Sequence, residues 1–110
     1  MKRFPHAAHA MRMALAALTA LASAGPALAQ DMTLGRNLAA TCASCHGTNG
    51  QARGEMRPLA GVPTALTVAA MADFKAGNRS PTIMHQIAKG YTDEQIKLIA
   101  AYLAAQQPRK

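Results

Sequence analysis

The 110-residue chain contains no tryptophan, and aromatic side chains make up only 4% of it. Beyond residue 29 the aromatics are Phe74, Tyr91 and Tyr102 alone. A small chain buries little apolar surface and often needs a metal or disulfide to fold, and with this few rings its core is thin. Cysteine is as scarce: Cys42 and Cys45 are the only two. Beyond them, His6 and His9 sit at the extreme N-terminus and leave only His85 and the motif histidine, too few for a zinc knuckle. No apolar run reaches the roughly 20 residues of a comfortable membrane span. No basic run is interleaved with aromatics, which excludes a nucleic-acid-binding face. Internal repeats, low-complexity tracts and period-2 strand patterns are missing as well.

What is present is Cys42-Ala43-Ser44-Cys45-His46. Two cysteines three apart with a histidine directly after the second form the attachment signature of c-type haem. The thiols add across the haem vinyl groups, and the adjacent imidazole reaches the iron as proximal ligand. Since the motif uses both cysteines, neither a disulfide nor a four-ligand zinc site remains without a partner. A thioredoxin-like redox pair would need a βαβ setting that the flanking sequence does not offer. A buried macrocycle would also supply the apolar mass that the composition lacks.

The N-terminus reads as an export signal. Lys2, Arg3 and Arg12 form a basic region, residues 13–24 an apolar one, and Ala27-Leu28-Ala29 a small-x-small cleavage site. Residues 1–29 are therefore expected to be a signal peptide cleaved near Ala29, and residues 30–110 the single functional domain, located in the periplasm. Ala22-Ser23-Ala24 is an alternative cleavage site. The formal charge of +7 belongs to the whole chain. Nine Lys/Arg and five Asp/Glu follow residue 29, a balance of about +4 that suits docking onto an acidic redox partner.

The expected elements are all helical. Thr33 is the candidate N-cap of a first helix running through Leu34, Leu38 and Ala39 into Cys42. Residues 47–61 carry Gly47, Gly50, Gly54, Pro58 and Gly61 and read as a loop at one haem edge. Pro63 opens a second helix with Val62, Leu66, Ala70 and Phe74 four apart, ended by Ala76-Gly77-Asn78. Ser80-Pro81 starts a short helix bearing Ile83, Met84, Ile87 and Ala88, stopped by Gly90 at C′. Thr92 and Gln95 form a capping box for a last helix with Ile96, Ile99, Ala100 and Leu103 on one stripe.

The sixth iron position is the open choice, because a second protein ligand separates an electron carrier from a gas-binding or peroxidatic protein. The candidates are Met32, Met56, Met71, Met84 and His85. Met32 precedes the first helix, Met56 lies in the loop near the attachment site, and Met71 reads as core filler. Met84, far downstream between two helices, is placed to return to the far side of the haem. His85 reads as an exposed helix residue, with bis-histidine ligation as the alternative.

The order of helix, C-x-x-C-H, proline-bearing loop, late methionine and last helix resembles class I cytochromes c, over essentially all of residues 30–110. Residues 38–47, the Pro58-Leu59-Ala60-Gly61 turn and residues 82–96 resemble the monohaem cytochrome subunits of flavocytochrome c sulfide dehydrogenases in particular. The resemblance implies a small class I cytochrome c fold, all-α, with helices wrapped around one haem c bound through Cys42 and Cys45. It implies His46 and Met84 as axial ligands, and a carbonyl of Pro58 accepting the ring N–H of His46. It also implies a close crossing of the first and last helices at Gly35, Leu38, Ile99 and Tyr102.

The expected function is outer-sphere electron transfer without substrate chemistry, the electrons coming from a partner, a flavoprotein dehydrogenase of the sulfide-oxidising type. Docking is expected at the thioether edge, near Arg53 and Arg57. The competing readings are a free-standing shuttle and, from another class, a haem enzyme or ligand sensor with an open distal site.

Overall fold

The computed structural model describes residues 25–80 and 83–110 of the chain. The expected basic and apolar segments of the leader lie outside them, as do Pro81 and Thr82. The chain divides into two compact units, Met1–Gln30 and Asp31–Lys110. The second unit carries the C-x-x-C-H motif.

Five α-helices and two short 3-10 turns make up the described residues, with no strand among them. Helix α1 (Gly25–Leu38) passes into a 3-10 turn (Ala39–Cys42) and then a single helical turn, α2 (Ala43–His46). A second 3-10 turn (Thr48–Gly50) opens the glycine-rich loop, after which come α3 (Thr64–Ala76), α4 (Met84–Lys89) and α5 (Asp93–Ala104). Thr33 is therefore inside α1 and does not cap it, and Met32 lies in that helix rather than before it. The apolar periodicity marks a helix here, but it does not reveal how far the helix extends upstream.

Helix α5 is the best-specified element. The Thr92 hydroxyl accepts from the Gln95 N–H at 3.1 Å, and the Gln95 side chain accepts from the Thr92 N–H at 2.9 Å. Two of the orphan donors at the helix start are thereby satisfied. Its stripe of Ile96, Ile99, Ala100 and Leu103 is buried, as patterned. The sequence pattern also locates α3, with Pro63 as N-cap and Gly77 left-handed at φ 78° after its last turn. The buried face of α3 differs from the expected one. Met71 is buried with Val68 and Phe74 beside it, whereas Leu66 is 61% exposed. A repeat of four drifts across a 3.6-residue turn, so Leu66 leaves the face that Phe74 occupies. Gly90 is also not a left-handed stop: it ends α4 in right-handed geometry at φ −75°.

Among the described residues, most buried apolar side chains fall into two small groups. Ala39, Ile99, Tyr102 and Leu103 form one, with Leu38, Cys42, Leu59 and Tyr91 against it. Met71, Ala88 and Ile96 form the other, with Val68, Phe74, Met84 and Tyr91 against it. Where α1 crosses α5, a Cβ on Gly35 would stand 2.5 Å from the Leu98 carbonyl oxygen and 3.1 Å from Tyr102 Cβ. The missing side chain is what allows the two backbones to meet.

Candidate haem site

The motif begins in the 3-10 turn that ends α1 and finishes in the single turn of α2, so both thiols and the imidazole come from one tightly wound stretch. Cys42 is half-buried and Cys45 exposed, and both are free. Burial pushes the Cys42 thiol up from its ordinary value, while hydrogen bonds from the Thr41 side chain and the local backbone oppose the rise. Gly47 follows His46 at φ 78° and turns the chain out of the helix. A Cβ there would stand 2.2 Å from the Gln51 carbonyl oxygen.

His46 Nδ1 donates to the Arg57 carbonyl oxygen at 2.7 Å. A carbonyl only accepts, so Nδ1 carries the proton and the lone pair of Nε2 is left for a metal. The acceptor is therefore the residue before Pro58, not Pro58 itself. Proline biases the residue before it toward extended backbone, which is the route by which Pro58 can act on the Arg57 carbonyl. A backbone acceptor has no side-chain signature, which is why the sequence points only to the neighbourhood of the proline.

Met84 is the first residue of α4 and is half-buried, packed against the group of Met71, Ala88 and Ile96. Met71 is core, as its position in α3 suggests, and Met56 is 42% exposed in the loop. His85 departs from the exposed residue expected. It is half-buried, and its Nδ1 is fully enclosed without a hydrogen-bond partner, a condition shared with Thr67 Oγ1 on α3. Ile83, just before α4, is 56% exposed.

These residues fit haem c. Two free thiols and an oriented imidazole lie in one tightly wound stretch, and a thioether stands at the start of α4. Exposed apolar side chains stand on α3 (Leu66) and just before α4 (Ile83), and Thr67 and His85 carry enclosed polar atoms without partners. The 210 Å³ cleft beside Ala39, Ala43, Asn49 and Tyr102 is lined by neither His46 nor Met84. Among the described residues no cluster of three or more His, Cys, Asp or Glu offers a separate metal site.

A helical chain that presents a thiol pair and an Nδ1-protonated imidazole in one turn defines a c-type haem protein. The chain belongs to the cytochrome c family, whose family model matches residues 22–107. It is 43% identical over 68 residues to the cytochrome subunit of sulfide dehydrogenase from Chlorobaculum tepidum, covering 62% of each protein. The thiosulfate dehydrogenase electron acceptor of Stutzerimonas stutzeri is 39% identical over 74 residues, 64% of this chain and 34% of that protein. A solved structure of cytochrome c4 from Acidithiobacillus ferrooxidans matches with a TM-score of 0.56 and 41% identity, covering 58% of this chain and 38% of that one. The chain spans less than two thirds of the length of each of these relatives. It has the class I cytochrome c fold, and the covalent haem c of that family of electron carriers finds its two cysteines here in Cys42 and Cys45.

Proposed function

We propose that this cytochrome works in the periplasm with His46 and Met84 as axial ligands, taking electrons from a flavoprotein dehydrogenase that oxidises a reduced sulfur compound. The orientation of His46 carries the reading: its Nδ1–H is held by the Arg57 carbonyl, which leaves Nε2 free to bind and makes it a stronger donor. Haem c, when bound, supplies a one-electron couple whose potential depends on axial ligands and surroundings. Cys42 and Cys45 would tether it, and His46 and Met84 would supply its two protein ligands. Because the fold supplies both ligands, the site needs little rearrangement between oxidation states.

Partner choice follows from the relatives, whose names include a sulfide dehydrogenase subunit and a thiosulfate dehydrogenase electron acceptor. Exposed Cys45 and the adjoining loop with Arg53 and Arg57 form a cationic edge for docking an acidic surface. The periplasmic assignment rests on the leader of residues 1–29, and no described helix is long and apolar enough to cross a membrane.

The ligand test is spectroscopic. Ferric wild-type protein is expected to show the near-red band of methionine sulfur on iron, and Met84→Ala to lose it. A wild type without the band would sink the ligand assignment. The enclosed, unpartnered Nδ1 of His85 beside Met84 favours a second reading, an openable distal site. Carbon monoxide binding to reduced wild-type protein decides for it. For the partner, association should slow as salt rises, and a flat salt titration against a co-purified dehydrogenase would rule out charge-steered docking.

A further inference from the structure

Tyr91 belongs to neither half of the site by sequence position, yet it packs against the buried groups on which Cys42 and Met84 also rest. It follows α4 directly, in the turn that leads to α5, and its ring packs against both buried groups. Its hydroxyl meets the Thr41 hydroxyl, one residue before Cys42, and lies 3.4 Å from the Leu38 carbonyl oxygen at the end of α1. Partners 50 and 53 residues distant in sequence thus converge on a single phenol oxygen.

We infer that the Tyr91 hydroxyl is a positioning group that fastens the C-terminal end of α4 to the segment bearing Cys42, and so fixes Met84 relative to the thiol attachment point. Helix α4 has six residues, too few to hold its place through its own hydrogen bonds. Ala88 is its one buried residue and anchors it from the α3 side. Beyond Gly90, Tyr91 supplies the anchor toward α1. The phenol can donate to Thr41 or to Leu38, and the Thr41 hydroxyl can donate or accept, so the pair is satisfied in either direction. The consequence at iron rests on the Met84 reading above; the fastening itself does not.

The experiment uses the haem-loaded protein with Tyr91→Phe, which keeps the ring, Thr41→Val at an exposed position, and the double variant. Amide hydrogen exchange is followed separately in α3, α4 and α5. The tie predicts that each single variant speeds exchange of the α4 amides by roughly threefold, the size of one modest hydrogen bond. The double variant should go no further, and α3 should not change. Unchanged α4 exchange would overturn the proposal. So would uniform acceleration through α3, α4 and α5, which marks a merely global loss of stability, or multiplication of the two single effects, which separates the two hydroxyls. If Tyr91→Phe fails to fold, Thr41→Val reports on the same contact. Imidazole affinity of the ferric protein, measured in parallel, should rise by a similar factor in both single variants. Met84→Ala separates the two readings: if imidazole binds it no more tightly than wild type, the ligand assignment fails while α4 exchange still decides the tie.

Discussion

Gly35 and Arg57 illustrate two ways a single residue acts through backbone rather than through its side chain, one at a helix crossing and one on His46. At Gly35, an added methyl would overlap the Leu98 carbonyl by a distance that a rigid helix crossing cannot absorb. Gly35→Ala gains helix propensity of about 1 kcal/mol but forces α1 from α5, for which overpacking typically costs about 1–3 kcal/mol. A net loss is expected, seen as a lower guanidinium midpoint with an unchanged slope. At Arg57 it is the backbone that matters. Arg57→Ala should leave the His46 hydrogen bond unchanged, because the acceptor is backbone, whereas Pro58→Ala frees residue 57 and weakens that bond. A less basic imidazole stabilises the ferric state less, so Pro58→Ala should raise the potential, by no more than about 60 mV if the change is tenfold in a one-electron equilibrium. Equal potentials in wild type and Pro58→Ala would show that the proline does not aim the carbonyl. The attachment motif was legible because three side chains carry its chemistry. The acceptor on His46 was legible only to within one residue.

Among the elements, α5 was readable to the residue, and physical redundancy explains why: cap, capping box and apolar stripe all agree on one register. Thr92→Ala should cost about 1 kcal/mol through the lost cap, measured by chemical denaturation. Asp93, next in the chain, accepts from Lys75 of α3 at 2.8 Å, and this hydrogen bond and charge hold its carboxyl below its ordinary value. A lowered carboxylate contributes stability above its unfolded value and loses it as pH falls through the folded one. Asp93→Asn should therefore flatten part of the acid limb of the stability profile, and identical acid limbs would show that the pair contributes nothing. The pair is exposed, so the effect is small. In α3 and α4, by contrast, the pattern finds the element but misplaces the buried face of α3 and the start of α4, which begins at Met84 rather than at Ser80-Pro81 and ends before Gly90 as expected. Leu66 and His85 carry opposite surprises, one apolar and exposed, the other polar and partly enclosed. Both depart from a rule that assumes the protein alone completes its core.

At the scale of the whole molecule, the two buried groups are small, and Tyr91 is packed against both. Further ties run through backbone and termini rather than through core. Gly61 N–H donates to the Leu103 carbonyl at 2.9 Å, Tyr102 donates to Asn49 at 2.5 Å, and Gln51 accepts from Arg109 N–H at 2.9 Å while its amide meets the Gln107 carbonyl. These contacts lash the glycine-rich loop to the end of α5 but bury little apolar surface. Hydrogen bonds of this kind contribute about 1 kcal/mol each, against roughly 1–2 kcal/mol of backbone entropy for every residue they order. The deficit has to be met by apolar contact, which a macrocycle held at Cys42 and Cys45 would add. Cofactor binding and folding should therefore be one event. A Cys42→Ser/Cys45→Ser chain, unable to form either thioether, is expected to lose most of its far-ultraviolet helical signal and to unfold without a cooperative thermal transition, while the haem-loaded wild type melts in one step. A sharp transition in the serine variant, with native helix content and no bound haem, would mean that the two buried groups hold the fold by themselves.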